Sequence, residues 1–234
     1  MAALVNLHLI LHVLAGVLTL IAGPIAIFAN SKRTRLHIIS GKIFFFAMNY
    51  VCISAIIGYF RHSEQIFYVF LLGISILVYA NIFRGVRAIQ IMKGGSVKRF
   101  DFIYTTILGL FAIWMIGMAV KSYILHPSQV AIPVLFTVFG IGSLMSVKEN
   151  LQKFLHPENV SKMEWLHFHV GTMLGAFTAS TTAFTVNSAH FLPWYIQWFG
   201  PTLLILPLQI YWKRRLLGYN KKQEKIAQPE LLMP

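Results

Sequence analysis

The chain has 234 residues, 57% of them hydrophobic and 12% charged, with 20 Lys and Arg against seven Asp and Glu and a net charge of +13. A soluble domain carries about 25% charged residues, so this composition excludes a globular protein whose whole surface faces water. The basic residues sit between apolar stretches, which explains them by membrane topology and leaves no nucleic-acid-binding surface to infer.

Seven apolar stretches follow in order, each near the roughly 20 residues a helix needs to cross about 30 Å of hydrocarbon. The first, 7–29, carries His8, His12 and Gly16. It lacks the basic leading region of a cleaved signal peptide. The second, 38–59, is headed by His37 and Gly41 and contains Cys52, the single cysteine, which leaves no internal disulfide to form. The third, 66–83, runs into a basic linker, 84–101, broken by Gly94-Gly95. The fourth, 102–120, holds Trp114 at its middle as a packing residue. The fifth, 130–147, is interrupted by Pro133, Gly140 and Gly142, and a second basic linker, 148–164, follows it. The sixth, 168–186, begins after Leu166-His167 and carries Thr178, Thr181, Thr182 and Thr185. These hydroxyls either line a polar cavity or quinone pocket or, as is usual, bond back to helix carbonyls. The seventh, 192–212, contains Pro201 and Pro207, and a loose polar tail, 220–234, closes the chain. Trp194 and Trp198 mark one interface, Trp165 and Trp212 the other, as aromatic belts. Asn49, Gln197 and Gln209 read as interhelical hydrogen-bonding residues.

The predicted fold is therefore all-α: one polytopic transmembrane bundle over 1–219 with about seven spans, in a plasma membrane. With seven spans, eighteen of the 20 Lys and Arg fall on one side, and only Arg61 and Lys121 on the other. The positive-inside rule then places the amino terminus outside and the carboxyl terminus in the cytoplasm.

One phrase occurs three times: Leu-His-x-x-x-Gly, at Leu11-His12…Gly16, Leu36-His37…Gly41 and Leu166-His167…Gly171. Chance predicts about 0.6 His-x-x-x-Gly pairs in such a composition. Residues four apart share a helix face, so each imidazole stands beside bare backbone, a seat for a flat ligand. Small residues at this spacing also simply let helices pack closely. No acidic residue lies in the middle of a span, which weakens proton-coupled transport and acid–base hydrolysis and leaves histidine as the chemistry-bearing side chain.

The histidines sort by depth. His12 lies about 25 Å along the first helix from its far end, so it shares no metal ion with His37 or His169. Two facing imidazoles, His37 with His169 or His167, suit axial ligation of haem b, with Arg33, Arg35 and Lys42 near enough for haem carboxylates. His12, with His8, offers half of an outer metal or haem site that His62, His126 or His190 would complete. His62, His126, His156 and His190 also read as ordinary loop residues.

At these residues the chain resembles a family of bacterial multi-pass membrane proteins known only as a domain of unknown function. The likeness rests on His12-x-x-x-Gly16-x-x-x-Leu20-x-x-Gly23-Pro24 and His37-x-x-x-Gly41-x-x-Phe44. It continues in His169-x-x-x-Met173-x-Gly175-Ala176 and Thr182-Ala183-Phe184-x-x-Asn187, thus covering the first two and last two spans. The family pattern singles out His12, His37 and His169, whereas the repeated phrase selects His167. Looser similarity, in histidine placement, is to cytochrome b561-like and ferric-reductase-like bundles. Three functions follow as expectations. The first is a haem-binding or electron-transfer protein with a redox partner or quinone, using His12, His37 and His169 as metal ligands and Gly16, Gly41 and Gly171 as seats. The second is a non-enzymatic carrier or assembly subunit with structural histidines. Zinc-dependent hydrolysis is the least supported, since no carboxylate accompanies the histidines.

Overall fold

Backbone polar groups set among apolar side chains must be satisfied within their own segment, and the chain meets this demand with helices throughout. A computed structural model describes residues 2–29, 35–125 and 127–227, with side chains over 7–29, 35–125 and 127–216. Seven α-helices follow one another: α1 Ala2–Phe28, α2 Arg35–Arg61, α3 Ile66–Met92, α4 Arg99–Leu125, α5 Ala131–Leu155, α6 Lys162–Ser188 and α7 Trp194–Ala227. A 27-residue helix is about 40 Å long, enough to cross a bilayer's hydrocarbon. Five helices, α1 to α5, are long and apolar enough to span a membrane.

Helices α3 and α6 form the centre of the bundle. α3 packs on α2, α4 and α6, and α6 packs on α1 and α7 as well, while α1–α2 and α4–α5 are hairpins on opposite flanks. Side chains are sorted inside-out relative to a soluble protein. Thr19, Arg84, Arg87, Asp101, Thr105, Ser143 and Asn150 are buried, while Leu9, Ile10, Phe46, Leu110, Ile113, Leu203 and Leu204 are exposed. An aliphatic exterior of this kind is covered by lipid.

Three expectations need correction. The linkers 84–101 and 148–164 are mostly helix: α3 continues to Met92 and α5 to Leu155. Arg84 and Arg87 are each only 5% exposed, so they are bundle residues and not solvated loop cations. The polar stretch from Asn220 is helical as far as Ala227. Trp165, Trp198 and Trp212 are core residues at 3, 9 and 7% exposure, not interfacial anchors. Trp165 stacks on Phe154, and Trp198 meets Phe70 edge-on.

The true end of α3 follows from local chemistry. Gly94 takes φ +100, its N–H bonds the Ile91 carbonyl and the Gly95 N–H bonds that of Gln90. This is the paired C-terminal closure that a residue without Cβ permits. α6 opens on a reciprocal cap: Glu164 N–H donates to Ser161 Oγ, and Ser161 N–H donates back to the Glu164 carboxylate. Within α7, Pro201 has no N–H for the Gln197 carbonyl, and Thr185 Oγ1 donates to it instead at 2.8 Å.

Candidate functional site

His37 stands in the first turn of α2, where the chain returns from α1. Its Nδ1 lies 2.8 Å from the Ala26 carbonyl of α1. A carbonyl only accepts, so Nδ1 carries a proton, and in the neutral ring Nε2 keeps its lone pair. His169, two residues beyond His167 on α6, faces the opposite side and reaches α3: its Nδ1 lies 2.8 Å from the Gly85 carbonyl. The same tautomer follows. Their helices contribute to one apolar cluster, α2 through Phe44 and Met48 and α6 through Ala176.

His12 bonds Ser54 of α2 through Nδ1. Ser54 spends its own proton on the Val51 carbonyl at 2.8 Å, so here too the imidazole donates and Nε2 is unprotonated. The three histidines of the family pattern thus share one tautomer, each imposed by a neighbouring helix. His12 sits toward the far end of the α1–α2 hairpin from His37. Among the described residues no group of three His, Cys, Asp or Glu is placed to hold a metal ion.

His167 is separated from this arrangement. Its face of α6 looks at α7, where a Cβ on Gly171 would lie 3.4 Å from Gln209 Nε2 and 3.9 Å from Lys213 Cε. Among the described residues His167 Nε2 is buried without a hydrogen-bond partner, as is His8 Nε2. Of the outlying histidines, His62 packs on the Tyr68 ring at 4.7 Å, His156 pairs with Glu158 at 3.4 Å on the surface, and His190 is exposed. His126 and Arg33 lie outside the described residues.

The glycines of the repeated phrase divide in the same way. A Cβ at Gly16 or Gly41 would meet nothing within 4 Å, so both leave open backbone beside their histidines. Gly171 faces α7 side chains. A close helix approach lies elsewhere: a Cβ on Gly85 would fall 2.6 Å from Thr172 Oγ1 and 2.7 Å from Met173 Cε. Gly85 is what lets α6 come close enough for His169 to reach an α3 carbonyl. Below the two rings, Phe44, Met48, Ile82 and Ala176 form a buried apolar cluster with Phe45, Met173 and Phe177 packed against it.

One polar assembly was not anticipated. Arg87 makes a two-pronged pair with Asp101, 2.7 Å on each branch, and donates to Gln90 Oε1 at 2.6 Å and the Ser96 carbonyl at 2.8 Å. Arg84 donates to Asn81 Oδ1, Asn150 Oδ1 and Ser146 Oγ at 2.5–3.2 Å and lies 5.3 Å over the Phe168 ring. Asn150 donates in turn to Thr105, which bonds the Asp101 carbonyl. A continuous network thereby ties α3, α4 and α5 at the end of the bundle nearest His169. Its sequence signal is the Asn81, Arg84, Arg87, Gln90 spacing of three, which puts the polar groups on one helix face.

The hydroxyl stripe of α6 bonds back to the helix. Thr178 donates to Leu174, Ser180 and Thr181 to Phe177, each to a carbonyl at 2.8–3.0 Å. Asn49 likewise bonds Phe45 of its own helix and so does not join helices. No family model, curated protein or solved structure matches the chain.

Proposed function

We propose that the protein is a seven-span membrane protein whose second and sixth helices present a two-imidazole site for haem b at the cytoplasmic end of the bundle. The observation that supports it is the shared tautomer: His37 and His169 each give their Nδ1 proton to a main-chain carbonyl, leaving Nε2 basic. Metal-ligating imidazoles are held in this way. Gly41 leaves open backbone one turn from His37, and Phe44, Met48 and Met173 supply apolar walls. Bound haem would supply one-electron exchange; the chain's own part is to hold two neutral imidazoles in place and keep water from them. α6 is less apolar than α1 to α5 because it lies against three helices, α1, α3 and α7, and its pairing along α3 gives it the same depth. With α7 antiparallel to it, seven crossings put the basic end in the cytoplasm.

A reduced-minus-oxidised absorbance spectrum of the purified protein tests this reading. A low-spin b-type signal is expected, absent from His37→Ala and His169→Ala. A featureless spectrum from protein purified with haem supplied would sink the idea.

A second reading is that the histidines are staples, a structural role within a non-enzymatic carrier or assembly subunit. It is favoured by the fact that each Nδ1 bond crosses between helices: His12 and His37 join α1 to α2, and His169 joins α6 to α3. The variant His169→Asn separates the two readings. Its amide preserves a donor where Nδ1 was but offers no equivalent ligand. A staple predicts near-normal thermal stability and no spectral feature to lose, whereas the haem site predicts a lost b-type signal.

A further inference from the structure

A shallow groove, open to the surroundings, lies along the outer face of α7, lined by Leu203, Leu206, Pro207 and Ile210 and then by Tyr211, Arg214 and Arg215. Its lining changes from aliphatic to cationic along one direction. Leu203, Leu206, Ile210 and Tyr211 are 68, 44, 42 and 53% exposed, so this face is not covered by the rest of the bundle. At the cationic end Arg215 donates to the Tyr211 hydroxyl at 3.2 Å and lies 5.1 Å over the Trp212 ring, which fixes its position. Among the described residues no carboxylate pairs with Arg214 or Arg215. Two neighbouring cations at the head of an apolar trough are complementary to a molecule with one anionic end and a hydrocarbon tail.

We infer that this groove binds an anionic phospholipid, its acyl chain along Leu203, Leu206 and Ile210 and its phosphate between Arg214 and Arg215. A free phosphate would use only the two arginines and leave the aliphatic part uncovered. A zwitterionic lipid would bring its own cation against them. The site is independent of the histidines, and its test does not involve haem.

Native mass spectrometry of the full chain in detergent tests the inference, with phosphatidylglycerol, phosphatidylcholine of the same acyl chains, or inorganic phosphate added. The expected result is retention of phosphatidylglycerol at about tenfold lower concentration than phosphatidylcholine, with no adduct from phosphate alone. Arg214→Gln with Arg215→Gln should abolish that preference, and Arg214→Lys with Arg215→Lys should keep most of it. Equal retention of the two lipids by the unmodified protein overturns the inference, as does displacement of phosphatidylglycerol by equimolar phosphate or an unchanged preference in the double Gln variant. Should the Gln variant not fold, the comparison of lipids on the unmodified chain decides alone.

Discussion

Two helix-interior glycines, Gly41 and Gly85, behave oppositely, and the difference can be measured. Gly41 is open, so Gly41→Ala relieves a helix-interior glycine and should gain about 0.5–1 kcal/mol. Gly85→Ala forces a Cβ against Thr172 Oγ1, whose proton is already given to the His169 carbonyl at 3.0 Å. That overpacking should lose about 1–3 kcal/mol. Thermal unfolding of both variants in the same detergent checks the pair, and a stabilised Gly85→Ala would contradict the close approach of α3 and α6. The repeated phrase made the histidines legible because it is a pattern within one helix. Gly85 was not legible, because its importance lies in which helix stands opposite it. For the same reason the sequence left His167 and His169 undecided: they are neighbours in the chain but face different helices.

At the level of elements, hydropathy found seven helices and misjudged where several end. A window average falls at Arg84, yet the helix continues because Arg84 and Arg87 find partners in the bundle. Removing one partner tests this. Asp101→Asn leaves the Arg87 charge buried without its carboxylate and should destabilise by about 3–5 kcal/mol, read as a fall in melting temperature. Gly94 and Gly95 were readable as a break because the residue type itself dictates the turn. The cap of α6 gives a pH signature. The Ser161 N–H, and after it the Ser161 hydroxyl, hold the Glu164 carboxyl below its ordinary value of 4.5. A lowered folded value means the stabilisation is present above the unfolded value and is lost as pH falls through the folded one. Hydrogen exchange at the first turn of α6 should therefore quicken on acidification below about pH 4.5, and should do so less in Ser161→Ala, already weaker by about 1 kcal/mol at neutral pH.

Across the whole molecule, composition was the informative quantity. A chain too poor in charge to face water shows an aliphatic exterior and a core in which Arg, Asp, Asn, Ser and Thr are paired. The pairing of the flanking hairpins, α1–α2 and α4–α5, and the central place of α3 and α6 emerge only in the folded chain. α6 is the more polar helix because its neighbours are protein on several sides, and hydropathy cannot distinguish that from a helix outside the membrane. The proposed topology predicts that a membrane-impermeant label reaches a cysteine placed at the amino terminus of intact cells and misses one placed after Lys213. Labelling in the reverse pattern would remove the assignment of the basic end to the cytoplasm.

The Arg87–Asp101 pair also constrains how the chain is made. α3 reaches the bilayer before the ribosome has released α4 and α5, and at that moment its two guanidinium groups have no carboxylate or amide from those helices. An arginine at a helix centre raises the insertion energy by roughly 2.5–3.5 kcal/mol, less near a helix end. The third helix should therefore linger beside the translocon until the next hairpin emerges, entering lipid as one three-helix unit. In nascent chains truncated after residue 98 a cysteine placed in α3 should crosslink to the translocon, and in chains truncated after α5 it should not.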